Sequence, residues 1–529
     1  MLISPPFGGG RAPVLARNTV ASSQPLATQA GIEALQNGGN AVDAALATAI
    51  TLTVVEPTMN GLGGDSFAIL WDGTKIHGLN ASGRAPAAWT PEYFAGKTAM
   101  DLIGWNTVTV PGMVAGWIEL SRKFGKLPFA QLFKRAINYA ENGFPVSPVI
   151  ARQWREAIPI LKNQPGFSES FLINGKAPAA GQIWKYPAQA KTLKDIAATE
   201  GESFYKGPLA QSMVDFAKAT GGCFSMQDFA DNRPEWVEPL TFDYGDYTLL
   251  EIPPNGSGIA AQMALGILQA ANVKQYPANS AQRIHLQIEA MRLAFADAYA
   301  YVSDARSMEV PVSSLLDRDY LASRAAMIDH TKAGSYGAGD PHCGGTVYLC
   351  AADESGMMIS YIQSNFKGFG SGVVAPGGIA FHNRGMSFSL VAGHPNQVAP
   401  GKRPFHTILP AFLTKAGKPS MAFGVMGGNM QPQGHIQFVM RFVDEYLNPQ
   451  ACSDAPRWRI DDLGKLTVEA SMPQSIVDGL IAMGHEVAIQ PANSLDFGSA
   501  QAIAKLSEEI DSAYIAGSDH RRDGLAAGF

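Results

Sequence analysis

Gly344-Gly345-Thr346-Val347-Tyr348-Leu349-Cys350-Ala351-Ala352, the turn Asp353-Glu354-Ser355-Gly356, and Met357-Met358-Ile359-Ser360-Tyr361-Ile362-Gln363-Ser364 form the stretch on which the fold turns. Two runs of β-forming residues around a four-residue turn predict a hairpin, with strands over 346–352 and 357–364. A Gly-rich bend follows (FKGFGSG, 366–372), then VVAPGGIAFHN (373–383). PAFLTKAGKPSMAFGV (410–425) predicts a second hairpin, broken by Gly427-Gly428 before a helix from about 433 to 446.

Upstream the pattern is helical. PLATQAGIEALQN (25–37) predicts a helix stopped by Gly38-Gly39, and Asn40 can cap the next. That next helix, 41–55, is apolar almost all round, which implies burial on several sides. MNGLGGD (59–65) leads into a strand over 66–71 and the turn Asp72-Gly73; the glycine loop reads either as an ordinary turn or as a site of tight backbone approach. Helices are also expected over 112–125, 128–143 and 283–302. In the last, His285 and Glu289 lie four apart, a spacing that suits a metal pair, a solvated face or a local hydrogen bond. Sheets bearing helices on their outer faces are the simplest architecture for this order.

The chain has 529 residues, 46% of them hydrophobic and 16% charged, so it can bury a large core and is not a disordered polymer. A net charge of -6 with no Lys/Arg run longer than a pair gives nucleic acid no footprint. The longest apolar stretch, 41–55, falls short of a bilayer span and contains Asp43. The N-terminal residues show no basic segment followed by an apolar one, so the cytoplasm is expected. Cys223, Cys343, Cys350 and Cys452 are too few for a disulfide scaffold and lack zinc-site spacing. His342 beside Cys343 suits thiol or metal chemistry as well as a plain buried thiol.

There is no HExxH, GxSxG, Walker lysine or EF-hand motif. Thr346, after two glycines at a strand start, is an ordinary first strand residue or something more. If the Gly345-Thr346 bond were cut, Thr346 would carry a hydroxyl nucleophile and a free α-amine with a reference pKa near ~8, able to take the hydroxyl proton. Glycine at 345 would tolerate the strained backbone that self-cleavage requires.

Taken together, GGNAVDAALATAITLTVVEPTMNGLGGD, VPGMVAGWIELSRKFGKLPF, HLQIEAMRLAFADAYAYVSD, TVYLCAADESG, FGSGVV, APGKRP and GVMGGNMQPQG resemble the γ-glutamyltransferase family of N-terminal-nucleophile hydrolases, in order and over nearly the whole chain. The resemblance implies an α+β fold, a four-layer αββα sandwich formed jointly by a large chain, 1–345, and a small chain, 346–529, of one precursor. It implies no metal and no organic cofactor. Thr346 matches the nucleophile, Ser364 its supporting hydroxyl, and Gly427 and Gly428 the pair whose N–H groups stabilise the oxyanion.

The substrate pocket departs from the family. Where γ-glutamyl-specific members carry Asn-Asn-Gln-Met-Asp-Asp, this chain has His382-Asn383-Arg384-Gly385-Met386-Ser387, so the acid that holds the α-ammonium is Ser387 and an amide is Arg384. The serine pair that holds the α-carboxylate is His406-Thr407, the family asparagine near the nucleophile is Phe366, and the carboxylate-gripping arginine is displaced by two places to Arg84. Loss of the acid and gain of Arg384 and His406 favour an anion without an ammonium group. The Asn-Arg-Gly branch resembles cephalosporin-acylase-like proteins and oxamate amidohydrolases. A cytoplasmic self-processing amidohydrolase of a small carboxylate-bearing amide, oxamate among the candidates, is expected. γ-Glutamyl hydrolysis or transfer on glutathione-like substrates, and an unprocessed non-catalytic homologue, are the alternatives. Homo-oligomerisation is left open.

Overall fold

The computed structural model describes residues 11–334, 336, 345–461, 463–507 and 512–529. Strands Gly345–Ala352 and Met358–Phe366 pair antiparallel around the expected turn, which Asp353 N–H closes onto Met357 O at 3.1 Å. Side chains alternate between two cores, as the twofold period of a strand requires. Val347, Leu349, Ala351, Ile359 and Tyr361 join a core with helices Pro25–Gln36, Ala41–Val55 and Met113–Phe124. Tyr348, Cys350, Ala352, Met358 and Ile362 enter a second core with Leu250, Phe412, Ala422 and Ile503 of another sheet.

Among the described residues each of the two main sheets has seven strands, all antiparallel. The first runs, edge to edge, Leu525–Gly528, Thr19–Ser22, Gly345–Ala352, Met358–Phe366, Asp65–Trp71, Ile76–Ala81, Glu235–Val237. The second runs Val14–Ala16, Tyr514–Ser518, Ser499–Lys505, Lys418–Met426, Ala411–Lys415, Tyr247–Glu251, Leu240–Tyr244. Helices Ile259–Ala270, Ala281–Tyr301 and Met430–Asp444 cover its outer face. The layers are therefore helix, sheet, sheet, helix, and both sheets draw strands from before and after Thr346.

Helix Ala41–Val55 has all fifteen residues buried, as its uniform apolarity requires. Asn40 caps it: its side chain accepts from Val42 and Asp43 N–H at 3.1 Å, while Asp43 accepts from Asn40 N–H at 3.0 Å. The segment expected as one helix from 128 opens as a 3-10 turn, Phe129–Phe133, before Lys134–Asn142. The helix expected from 433 starts three residues earlier and ends at Asp444. Gly427 and Gly428, at φ 125° and 61°, turn the chain fast enough that Pro432 falls in the first turn, where its missing N–H costs nothing. Among the described residues no helix is long and apolar enough to cross a membrane.

Candidate active site

Thr346 is fully buried at the start of its strand. Its Oγ1 lies 3.3 Å from Ser364 Oγ and accepts from Gln431 Nε2 at 3.4 Å. A register shift lies opposite it: Gly345 pairs with Phe366 but Val347 with Gln363, so the Ser364 strand carries one extra residue. Bulges of this kind re-aim side chains. Phe366, where it ends, takes a positive φ of 74°, and its N–H donates to Ser364 Oγ at 2.7 Å, fixing that hydroxyl beside Thr346. Gly427 and Gly428 join the second sheet to helix Met430–Asp444, and their carbonyls accept from Met430 and Gln431 N–H at 3.1 and 3.0 Å. They stand at the positive end of that helix, a setting suited to an oxyanion.

Arg384 stacks on Phe366, its guanidinium 3.6 Å from the ring centre. Nη1 donates to Thr407 Oγ1 at 3.1 Å, while Nε and Nη2, both buried, have no hydrogen-bond partner. Burial pushes the Arg384 guanidinium down to about 9, with the Asp65 charge opposing. A cavity of about 720 Å³ runs past Phe366 and Thr407, the two partners of Arg384, with Ser387, Phe405, Tyr299 and Met100 also on its wall. Ser387 is half-buried on its wall.

Asp65, to which the sequence pattern gives no role, lies beside His406. It pairs with Ser364 in the strand register, and Oδ1 accepts from Gly83 and Gly112 N–H at 2.9 and 3.1 Å. His406 Nε2 donates to Oδ2 at 3.2 Å; Ile408 N–H on His406 Nδ1, at 3.4 Å, fixes that tautomer. Burial alone would raise the Asp65 carboxyl, but His382, His406 and the Gly83 N–H outweigh it and hold it at about 2. Burial, reinforced by Arg384, drives His406 down to about 3 against the pull of Asp65. The imidazole is therefore neutral at pH 7, and His406 supplies no charge to hold an anion. The signal for Asp65 was its place at the end of GLGGD. That loop is a tight approach: Gly63 N–H donates to Ala380 O at 3.0 Å, and a Cβ there would lie 2.6 Å from the same oxygen.

Arg84 carries its cation in an ion-pair cluster. It pairs with Glu235 and with Asp304 at 3.2 Å and donates to Gly401 O at 3.2 Å, within a cluster completed by Arg306 and Arg403. His285 and Glu289 are fully buried rather than on a solvated face. His285 Nδ1 meets His485 Nε2 at 2.7 Å and its Nε2 meets Asp329 O at 2.8 Å, while Glu289 accepts from Arg292 and from Gly334 N–H. The imidazoles share a hydrogen bond closer than two nitrogens bound tetrahedrally to one zinc, roughly 3.3 Å apart from Zn–N bonds of about 2.0 Å. Cys350 and Cys452 are buried free thiols and Cys223 is a half-buried one; His342 and Cys343 lie outside the described residues.

The family model for gamma-glutamyltranspeptidase matches residues 27–529. The chain is 35% identical to the glutathione hydrolase-like YwrD proenzyme of Bacillus subtilis, over 97% of this chain and 98% of that protein. It is 36% identical to the oxamate amidohydrolase proenzyme of Klebsiella pneumoniae, over 95% and 97%. Among solved structures, cephalosporin acylase from Bacillus halodurans superposes with a TM-score of 0.91 at 43% identity, covering 99% of this chain and 98% of that one.

Proposed function

The chain belongs to the gamma-glutamyltranspeptidase family and is an N-terminal-nucleophile amidohydrolase, and from that premise we propose that it cuts itself between Gly345 and Thr346 and hydrolyses a carboxylate-bearing amide. Residues 1–345 and 346–529 are then the large and small chains. The α-amine of Thr346 takes the proton of Oγ1 as that oxygen attacks the amide carbonyl. Gly427 and Gly428 N–H groups hold the oxyanion, the protonated amine or ammonia leaves, and water releases the acyl group. With oxamate, the balance is oxamate plus water to oxalate plus ammonia.

The observation that carries the substrate class is Arg384, buried, with Nε and Nη2 unpartnered beside Thr407. A planar guanidinium with two N–H groups to spare suits a carboxylate. Ser387 and Thr407 shape the wall, and His406 tethers the pocket to Asp65. Arg84 reaches a substrate carboxylate only by leaving Asp304 and Glu235, so Arg384 is the primary anchor. γ-Glutamyl hydrolysis or transfer is the second reading, favoured by the name of the Bacillus subtilis relative and disfavoured by Ser387, which offers an ammonium group no charge.

The test compares wild type with Thr346→Ala. Wild type runs as two pieces on a denaturing gel and releases ammonia from oxamate or from longer monoamides of dicarboxylic acids, which the cavity has room for. Thr346→Ala stays at 56.2 kDa and is inactive. A variant that still splits, or an intact wild-type chain that turns over, refutes the assignment, and glutathione hydrolysis at equal rate refutes the substrate class.

A further inference from the structure

Among the described residues a second buried side chain, besides Ser364, touches Thr346 and has no role in the cycle above. Gln431, fully buried in the first turn of helix Met430–Asp444, donates through Nε2 to Thr346 Oγ1 at 3.4 Å. Its other end is pinned, since Leu409 N–H donates to Gln431 Oε1 at 2.8 Å. A backbone N–H can only donate, so the amide oxygen must face Leu409 and the NH2 must face Thr346. An NH2 in turn can only donate, so Oγ1 accepts from it and the hydroxyl hydrogen is directed elsewhere. Two neighbours on the same helix show the contrasting use of this side chain. Gln433 and Gln437 spend their amides on backbone groups of Ile460 and Trp458, docking the strand Trp458–Ile460.

We infer that Gln431 is a catalytic residue, an N–H donor to the nucleophile oxygen, which directs the hydroxyl proton towards the base and then stabilises the charge that develops on Oγ1. The inference rests on Thr346 being the nucleophile. As the O–H bond breaks, the proton passes to the α-amine, the freed electron pair forms the bond to the amide carbon, and the carbonyl π pair moves onto its oxygen. Gln431 donates throughout and transfers no proton. In scission the same oxygen attacks the Gly345 carbonyl, the Gly345 C–Thr346 N bond breaks with the hydroxyl proton ending on the released amine, and water hydrolyses the resulting ester, so the same donor serves it. Hydrogen bonds to such atoms are often long in a resting site and shorten as charge develops.

Gln431→Met keeps the length of the side chain and removes the donor. It should lower kcat on the order of 10- to 100-fold, the worth of a hydrogen bond to a charged group, with KM within twofold of wild type and a parallel slowing of precursor scission. Gln431→Glu can still accept from Leu409 but has no proton to give once ionised, so its kcat should fall with rising pH across a range where wild type is flat. Gln433→Met, the control on the same helix, should lower the melting temperature without splitting kcat from KM. Either Gln431 variant processing and turning over within twofold of wild type at every pH, or a loss lying wholly in KM, overturns the inference. Thr346→Ala inactive beside a fully active Gln431→Met sinks the Gln431 role alone, whereas an active Thr346→Ala sinks the nucleophile reading beneath it.

Discussion

Around Thr346 the polar atoms are matched to one another: its hydroxyl to Ser364 and Gln431, Ser364 to Phe366 N–H, Gln431 to Leu409 N–H. Around Arg384 they are not. One guanidinium nitrogen reaches Thr407, two have no partner, and the nearest counter-charge, Asp65, is already held by Gly83, Gly112 and His406. An unmade buried hydrogen bond costs about 1–3 kcal/mol and more for a charged group, and on the proposed function a bound carboxylate completes these two. On the proposed function, the matched half performs the chemistry and the unmatched half selects what it is performed on.

Substitutions that touch one half should spare the other. Arg384→Met should lower kcat/KM by about 10²–10³, mostly through KM, because a carboxylate loses a paired guanidinium; precursor scission, which needs no external carboxylate, should proceed at the wild-type rate. A processing defect in that variant would erase the division. Ser364→Ala should do the reverse, slowing both scission and kcat by roughly 10-fold for a lost neutral hydrogen bond, with KM unchanged in steady-state assays.

Asp65 connects the halves, and Asp65→Asn should show in stability. The folded pKa of about 2 lies below the ordinary 3.8, so the stabilisation is present above 3.8 and is lost as pH falls towards 2. Denaturant melts between pH 5 and 2 should show this acid loss in wild type, and a shallower one in Asp65→Asn, which starts from a lower melting temperature. The smallest effect is binding itself: oxalate at saturating concentration should raise the wild-type melting temperature by a few degrees and leave Arg384→Met unmoved. Equal shifts in both would place the anion elsewhere.

The hairpin at Thr346, the apolar helix 41–55 and its Asn40 cap were legible because each is a local pattern with a local cause. Thr346 itself was not legible from its neighbours; Gly-Gly-Thr before a strand is unremarkable chemistry until the whole chain is matched to a family. What stayed hidden depends on partners far away in sequence. Asp65 matters because the register sets it opposite Ser364, Gln431 because the second sheet delivers its helix beside the first, and Arg84 has its cation spent on Glu235 and Asp304. His285 and Glu289 read as a metal pair, a solvated face or a local hydrogen bond, and only the fold brings His485 and Gly334 onto them.

Strand Gly345–Ala352 is laced on one side to Thr19–Ser22 and on the other to Met358–Phe366, and the C-terminal strand Leu525–Gly528 pairs with Thr19–Ser22 in turn. A cut before Thr346 would therefore sever one covalent link and no ladder. The two products could not drift apart without unravelling both sheets, so the newborn amine would stay clamped where the uncut backbone had held it, and the precursor would serve as its own assembly jig.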